Sequence, residues 1–182
     1  IVDGGNIAVA PNPDTSDLAS DFHLKWFRDL VPGQDLEVGA SAWSSNGSNQ
    51  LYGLDATYRW KPYVAGEWKS FLVGAELFQA DLDDAVHAPH PGGFDVWSQY
   101  QLDRNLYLGA RYGQADDLAD ESLVTHTIGA YLTYYTTEFL RFRLGLEHTK
   151  SDVAVLDGVD SAFLELNFIY GSHPAEPYWV NR

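Results

Sequence analysis

The chain of 182 residues contains no cysteine and no methionine, and only 11 Lys and Arg stand against 26 Asp and Glu. Without cysteine there are no disulfides and no thiolate metal centres, a composition that suits an oxidising envelope compartment. A formal charge of -15 excludes nucleic acid as a partner, because phosphate binding needs a basic face, and argues equally against an anionic membrane surface. Long apolar runs are also lacking. No stretch approaches the ~18 consecutive apolar residues of a membrane helix, although 45% of the residues are hydrophobic and 14% aromatic. There is no phosphate-cradling glycine loop. The first residue is Ile1 and no signal peptide precedes it, as expected of a mature secreted protein or of a fragment.

What the chain does have is alternation. In Thr127 to Tyr135, residues Ile128, Ala130, Leu132 and Tyr134 share one parity and Thr127, Gly129, Tyr131 and Thr133 the other, which is the period of a strand. After the break at Thr136-Thr137-Glu138, Leu140, Phe142, Leu144 and Leu146 oppose Arg141, Arg143, Gly145 and Glu147. Leu164, Leu166 and Phe168 then oppose Glu165 and Asn167. Going back to the start, Phe22 to Leu30 reads as the first strand and Val31 to Asp35 as a tight turn, in which Pro32 fixes one position and Gly33 supplies positive φ. Leu36 to Trp43 alternates cleanly. Tyr52, Leu54, Ala56, Tyr58 and Trp60 oppose Asp55, Thr57 and Arg59; Ser70 to Ala80 is the next run. Phe94 to Leu102 and Leu106 to Gln114 form a hairpin about Asp103-Arg104-Asn105.

These runs are longer than the usual five or six residues of a soluble strand, and near the length that a tilted strand needs to cross a bilayer. Short turns also interleave with longer polar or acidic loops at Ser44 to Gln50, Asp81 to Gly93, Ala115 to Ser122 and Lys150 to Asp160; the medium-length Lys61 to Lys69 falls on the short side. Outer-membrane barrels have this asymmetry, short on the periplasmic side and long outside. The expected fold is therefore all-β: an antiparallel up-and-down transmembrane β-barrel. About nine strands are visible, and since bacterial single-chain barrels usually have even numbers, they are expected to be the carboxy-terminal part of a larger barrel. Residues 1–21 are expected as a loop or the end of a preceding strand, 22–171 as barrel strands and 172–182 as a periplasmic tail. The expected location is the bacterial outer membrane, with its lipids as the contacting medium and a homo-oligomer or another envelope protein as possible partner. In that setting the sequon Asn46-Gly47-Ser48 is accidental.

The sequence carries a resemblance as well. His-Leu-Lys-Trp-Phe from His23, the run Gly53 to Pro62, Gly-Ala-Arg-Tyr at Gly109 to Tyr112, and the ending Leu166 to Pro174 together resemble the carboxy-terminal half of bacterial outer-membrane proteins described as zinc-regulated TonB-dependent receptors or as porin-like. The resemblance covers most of Phe22 to Pro174 and rests on strand and turn residues rather than ligands. It implies a barrel. No plug domain and no TonB box is recognisable, so it does not extend to driven import. The tail Ala175 to Arg182 departs from barrels that end on an aromatic strand residue, leaving Phe168 or Tyr170 for that role.

The charges on the polar parity are the candidate pore lining: Lys25, Arg59, Arg111, Arg141 and Arg143 against Glu37, Asp55, Glu76, Asp95, Glu147 and Glu165. They either set ion selectivity, as rings of charge do, or form paired networks that brace a narrow interior. Arg141 and Arg143 are the best candidates for a basic ladder. His87 and His90, with Asp81, Asp83 and Asp84 upstream, are candidate Zn²⁺ ligands, against the reading of a solvated acidic loop. The loops at Asp116 to Glu121 and Asp152 to Asp160 could collect a divalent cation, though neither has EF-hand spacing. No other cofactor is expected. Trp26, Trp43, Trp60, Trp68, Tyr134 and Tyr135 suit interfacial girdles, whereas Trp97 falls on the polar parity. Ser122, His126 and Asp120 contain the residue types of a hydrolytic triad, but at a strand entrance, and no enzyme is expected.

The leading expectation is a passive channel or porin-like barrel for small solutes or ions. A non-conducting scaffold barrel whose acidic loops bind a partner or divalent cations is the alternative. A soluble barrel with an apolar ligand inside is the third, and it would turn the Leu/Phe parity inward.

Overall fold

The computed structural model describes residues 19–45, 49–62, 68–82, 90–137 and 139–169. They form nine strands: β1 (Ala19–Val31), β2 (Gln34–Ser45), β3 (Asn49–Trp60), β4 (Phe71–Asp81), β5 (Gly92–Asp103), β6 (Leu106–Asp116), β7 (Val124–Thr137), β8 (Leu140–Ser151) and β9 (Val159–Phe168). Each pairs antiparallel with its neighbour in the chain, so the sheet is a simple meander ordered β1 to β9. The all-β, up-and-down arrangement of nine strands is as expected. Among the described residues β1 and β9 make no contact, so these nine strands form an open sheet and do not close on themselves into a barrel.

The strands run further than hydrophobic alternation alone shows. The first begins at Ala19, within the segment expected as a leading loop, and Asp35 belongs to β2 rather than to the turn before it. The connection expected at Ser44 to Gln50 shrinks to 46–48, and that at Lys150 to Asp160 to 152–158. In each case backbone pairing continues through polar residues, because ladder hydrogen bonds do not depend on side-chain polarity. Val31↔Gln34 closes the first hairpin around Pro32 and Gly33, and Gly33 has φ 81°, the positive value that position needs.

The connections segregate to two ends. One end has the two-residue links 32–33, 104–105 and 138–139 together with the longer 61–70; the other has 46–48, 82–91, 117–123 and 152–158. The tail after 169 and the segment before Ala19 lie outside the described residues.

No second layer covers the sheet among the described residues. Among the described residues, the buried hydrophobic side chains are only Leu72, Ala80, Leu82 and Tyr107, whereas Leu24, Leu54, Leu77, Leu108, Ile128, Leu132, Leu144, Leu146, Leu164 and Leu166 are all exposed. Every one of those exposed residues lies on the same face. The opposite, charged face contains the buried polar residues Asp35, Glu37, Gln101 and Thr133. A flat single sheet would expose both faces alike. Along β5, β7 and β8 the charged face is the less exposed of the two, as on the concave side of a curved sheet, while Phe27, Leu51, Phe78 and Val159 stand exposed on that face elsewhere.

Candidate functional site

Glycine makes the inward curvature possible. Gly39, Gly53, Gly74, Gly93, Gly109, Gly113, Gly129 and Gly145 all fall on the charged face, and at Gly39, Gly74, Gly93, Gly113, Gly129 and Gly145 a neighbouring ring or carboxylate side chain occupies the space that a side chain would fill. A Cβ on Gly74 would stand 2.5 Å from Cε2 of Trp97, its cross-strand neighbour. Gly145 is covered in the same way by the ring of Phe163. Rings and carboxylates thus lie along the wall instead of projecting from it.

The candidate pore-lining residues do share this face, and the register pairs most of them. Lys25 Nζ donates to Glu37 at 2.6 Å, across the register position Phe27↔Glu37 by one diagonal step. Arg59 faces Asp35 and donates to it from Nε at 2.8 Å. His23 lies 3.4 Å from Asp55. Arg111 donates to Asp95 at 2.6 Å and stands 3.9 Å from Glu147. Arg141 is bonded to Glu165, which also lies 3.7 Å from Arg143. Arg143 in addition donates to Thr133 at 3.2 Å and sits over the Tyr131 ring, 5.6 Å from its centre. Arg141 and Arg143 therefore do not form a bare basic ladder: a carboxylate is shared between them. Glu76 is exposed on the same face.

Several residues of this site are absent from the sequence-derived set. Asp35, hidden in an apparent turn, is the partner of Arg59. Tyr131 donates to Glu147 at 2.6 Å. Tyr107 packs edge-on against Tyr135, with ring centres 5.4 Å apart, and Tyr131 against Phe163 at 5.9 Å. Parity would have found them, since 107, 131, 135 and 163 alternate with the apolar set. Together with Trp97 these rings and the β6–β8 arginines line a cavity of about 570 Å³ on the charged face, reaching from Leu72 on β4 to Phe163 on β9.

The outer face has its own order. Along β3 and β6–β9 its leucines and alanines occupy the middle; across β3–β9 the aromatic residues Trp60, Phe71, Tyr100, Tyr134, Phe142 and Phe168 lie towards the short-turn end and Tyr52, Phe94 and Tyr112 towards the other. Beyond the second set come polar side chains: His126, whose Nδ1 is 3.0 Å from the Tyr112 hydroxyl, and His148, 2.7 Å from Asp160. Trp26 and Trp60 belong to this outer face, while Trp43, Trp97 and Tyr135 lie on the inner one. Trp68, in a connection, carries Arg104 over its ring at 5.3 Å.

Of the candidate metal ligands, Asp83, Asp84 and His87 lie outside the described residues. His90 is 3.6 Å from Asp81, and its backbone N–H donates to Glu121 at 3.4 Å. Among the described residues no three His, Asp or Glu side chains group as metal ligands. In the 117–123 connection Ser122 Oγ donates to Asp120 at 2.6 Å, and these bonds hold the Asp120 carboxyl below its usual pKa. His126 is turned to Tyr112 on the outer face, so Ser122 and His126 do not share a hydrogen bond. Lys61, just after β3, has its ammonium pKa lowered by burial and then by Arg59.

No family model, curated protein or solved structure matches the chain.

Proposed function

We propose that the nine strands are part of the wall of an outer-membrane β-barrel, a passive, porin-like channel whose charged face lines a path for small solutes or ions. One observation carries the reading: the sheet is packed the wrong way round for water, with most of its Leu and Ile side chains exposed on one face and the paired Arg, Asp and Glu side chains on the other, where Asp35 and Glu37 are buried. A soluble barrel holding an apolar ligand would have the opposite curvature.

The dimensions support lipid on the outer face. From Trp60 to Tyr52 the strand rises by roughly 27 Å, or ~20 Å along the membrane normal at a tilt of about 40°, close to the apolar band of known barrels. Aromatic residues at both margins match the girdles that place amphipathic rings at headgroup level. The free edges of β1 and β9 would be met by further strands, since an exposed ladder edge in hydrocarbon leaves backbone groups unsatisfied at several kcal/mol each.

The non-conducting scaffold remains as a second reading because one observation favours it: the inner charges are largely consumed by their own partners. Planar-bilayer recording from the natural full-length protein, with outer-membrane fractionation of the producing cells, separates the two. Discrete conductance steps are expected. A protein that fractionates with the outer membrane and inserts, yet carries no current, would leave only the scaffold.

A further inference from the structure

We propose that the inner-face cavity over β4–β9 binds neutral polyhydroxylated molecules, of the size of a disaccharide or trisaccharide. The inference rests on reading this face as the lumen wall, and it assigns the class of solute.

Charge balance comes first. The three arginines at the cavity, Arg111, Arg141 and Arg143, are set against Asp95, Glu147 and Glu165, three carboxylates within 4 Å of them. An incoming anion would have to displace a carboxylate from a guanidinium, and a cation would have to displace a guanidinium from a carboxylate; neither gains a free counter-charge. A neutral molecule displaces nothing. It can still bond to the outward lone pairs and N–H groups of these pairs, because a guanidinium carries five donors and a carboxylate about four acceptor sites. Vicinal hydroxyls, each donor and acceptor at once, match such a lattice.

Ring placement is the second observation. Trp97 lies across Gly74 and Phe163 across Gly145, so both extend along the wall beside the cavity, and Tyr131 joins them next to Phe163. An aromatic face is electron-rich and attracts polarised C–H groups, which line the flat side of a pyranose ring. The volume of about 570 Å³ lies within the range of small-molecule sites. A wall built for simple ions would need neither rings nor glycines to lay them flat.

The test is calorimetric titration of the natural full-length protein in detergent with maltose, sucrose and raffinose, alongside succinate, spermidine and glycylglycine. Saturable binding of at least one sugar, in the millimolar range and well ahead of the anion, the cation and the zwitterion, is expected. Phe163→Leu, which keeps bulk but removes the ring face, should weaken it about tenfold, whereas Leu164→Ala on the other face of the same strand should leave it unchanged; far-UV circular dichroism verifies both folds. The proposal is overturned if no sugar saturates, if a charged compound binds in preference, or if Phe163→Leu folds and binds sugar as before. Because binding in detergent needs no open pore, sugar binding without conductance would sink the channel alone, and conductance without sugar binding would sink this assignment alone.

Discussion

Arg59 stands directly opposite Asp35 in the β2–β3 register, and both its Nε and Nη2 reach the same carboxylate oxygen, at 2.8 and 2.5 Å. Asp35 is 3% exposed, and its other oxygen is buried without a hydrogen bond. Removing the arginine therefore strands a buried negative charge, which costs more than the pair itself contributes. Arg59→Leu is expected to destabilise the protein by about 3 kcal/mol, and adding Asp35→Asn to recover much of that loss. Urea-unfolding midpoints in lipid or detergent give the four corners of the cycle. Equal destabilisation of the single and double variants would show that Asp35 does not depend on Arg59.

Gly74 predicts a sign. A glycine in an open strand position gains roughly 0.5–1 kcal/mol on change to alanine, since the unfolded chain loses freedom. Here the new methyl would meet the Trp97 ring at 2.5–2.7 Å, a contact the ring can relieve only by swinging off the wall. Gly74→Ala should therefore destabilise by ~1–3 kcal/mol, and Trp97→Leu should abolish much of that penalty. The same unfolding measurement reports both. A stabilised Gly74→Ala would mean that the ring does not lie over this glycine.

Much of this architecture is legible in the sequence because side-chain parity in a strand is a local property: Arg141, Arg143 and Glu147 on one side of β8 and Leu144 and Leu146 on the other need no knowledge of neighbours. Trp97 is placed inside by the same rule. Asp35 escapes it because it follows Pro32-Gly33 and reads as the end of a turn, although 35, 37 and 39 share a parity. Partners are harder. Whether Arg143 meets Glu147 or Glu165 depends on the offset between strands, which the turn geometry sets, and the ladder of arginines turns into a shared carboxylate only once β8 and β9 are in register. Parity places Tyr131 and Phe163 on the polar face as well; what it does not show is that the two rings pack on each other, since that too depends on the register of β7, β8 and β9.

The acidic connection between β6 and β7 makes a pH-dependent prediction. Asp120 accepts from the hydroxyl and the backbone N–H of Ser122, which lowers its pKa. A group depressed on folding stabilises the turn above the ordinary carboxylate pKa, and that contribution disappears as pH falls through the depressed value. Ser122→Ala removes the larger of the two bonds, so the Asp120 midpoint should rise towards the usual range. Carboxyl carbon chemical shifts followed as the pH falls from about 7 to about 2 would show the shift. An unmoved midpoint would assign the effect to something other than Ser122.

Leu144 decides what lies outside the sheet. It is 51% exposed, in the middle of the outer apolar band between Phe142 and Leu146. If water met this face, Leu144→Arg would be an ordinary surface change, within about ±0.5 kcal/mol. If hydrocarbon meets it, the guanidinium must enter the region of lowest polarity, at a cost of about 2–4 kcal/mol. Leu140→Arg, nearer the short-turn end of the same strand, should cost less, about 0–1 kcal/mol where a long side chain can reach the headgroups. Unfolding from defined lipid vesicles measures both. The gradient is the diagnostic quantity, because a general loss of packing would affect the two positions alike, and only a bilayer makes the penalty grow towards the middle of the strand.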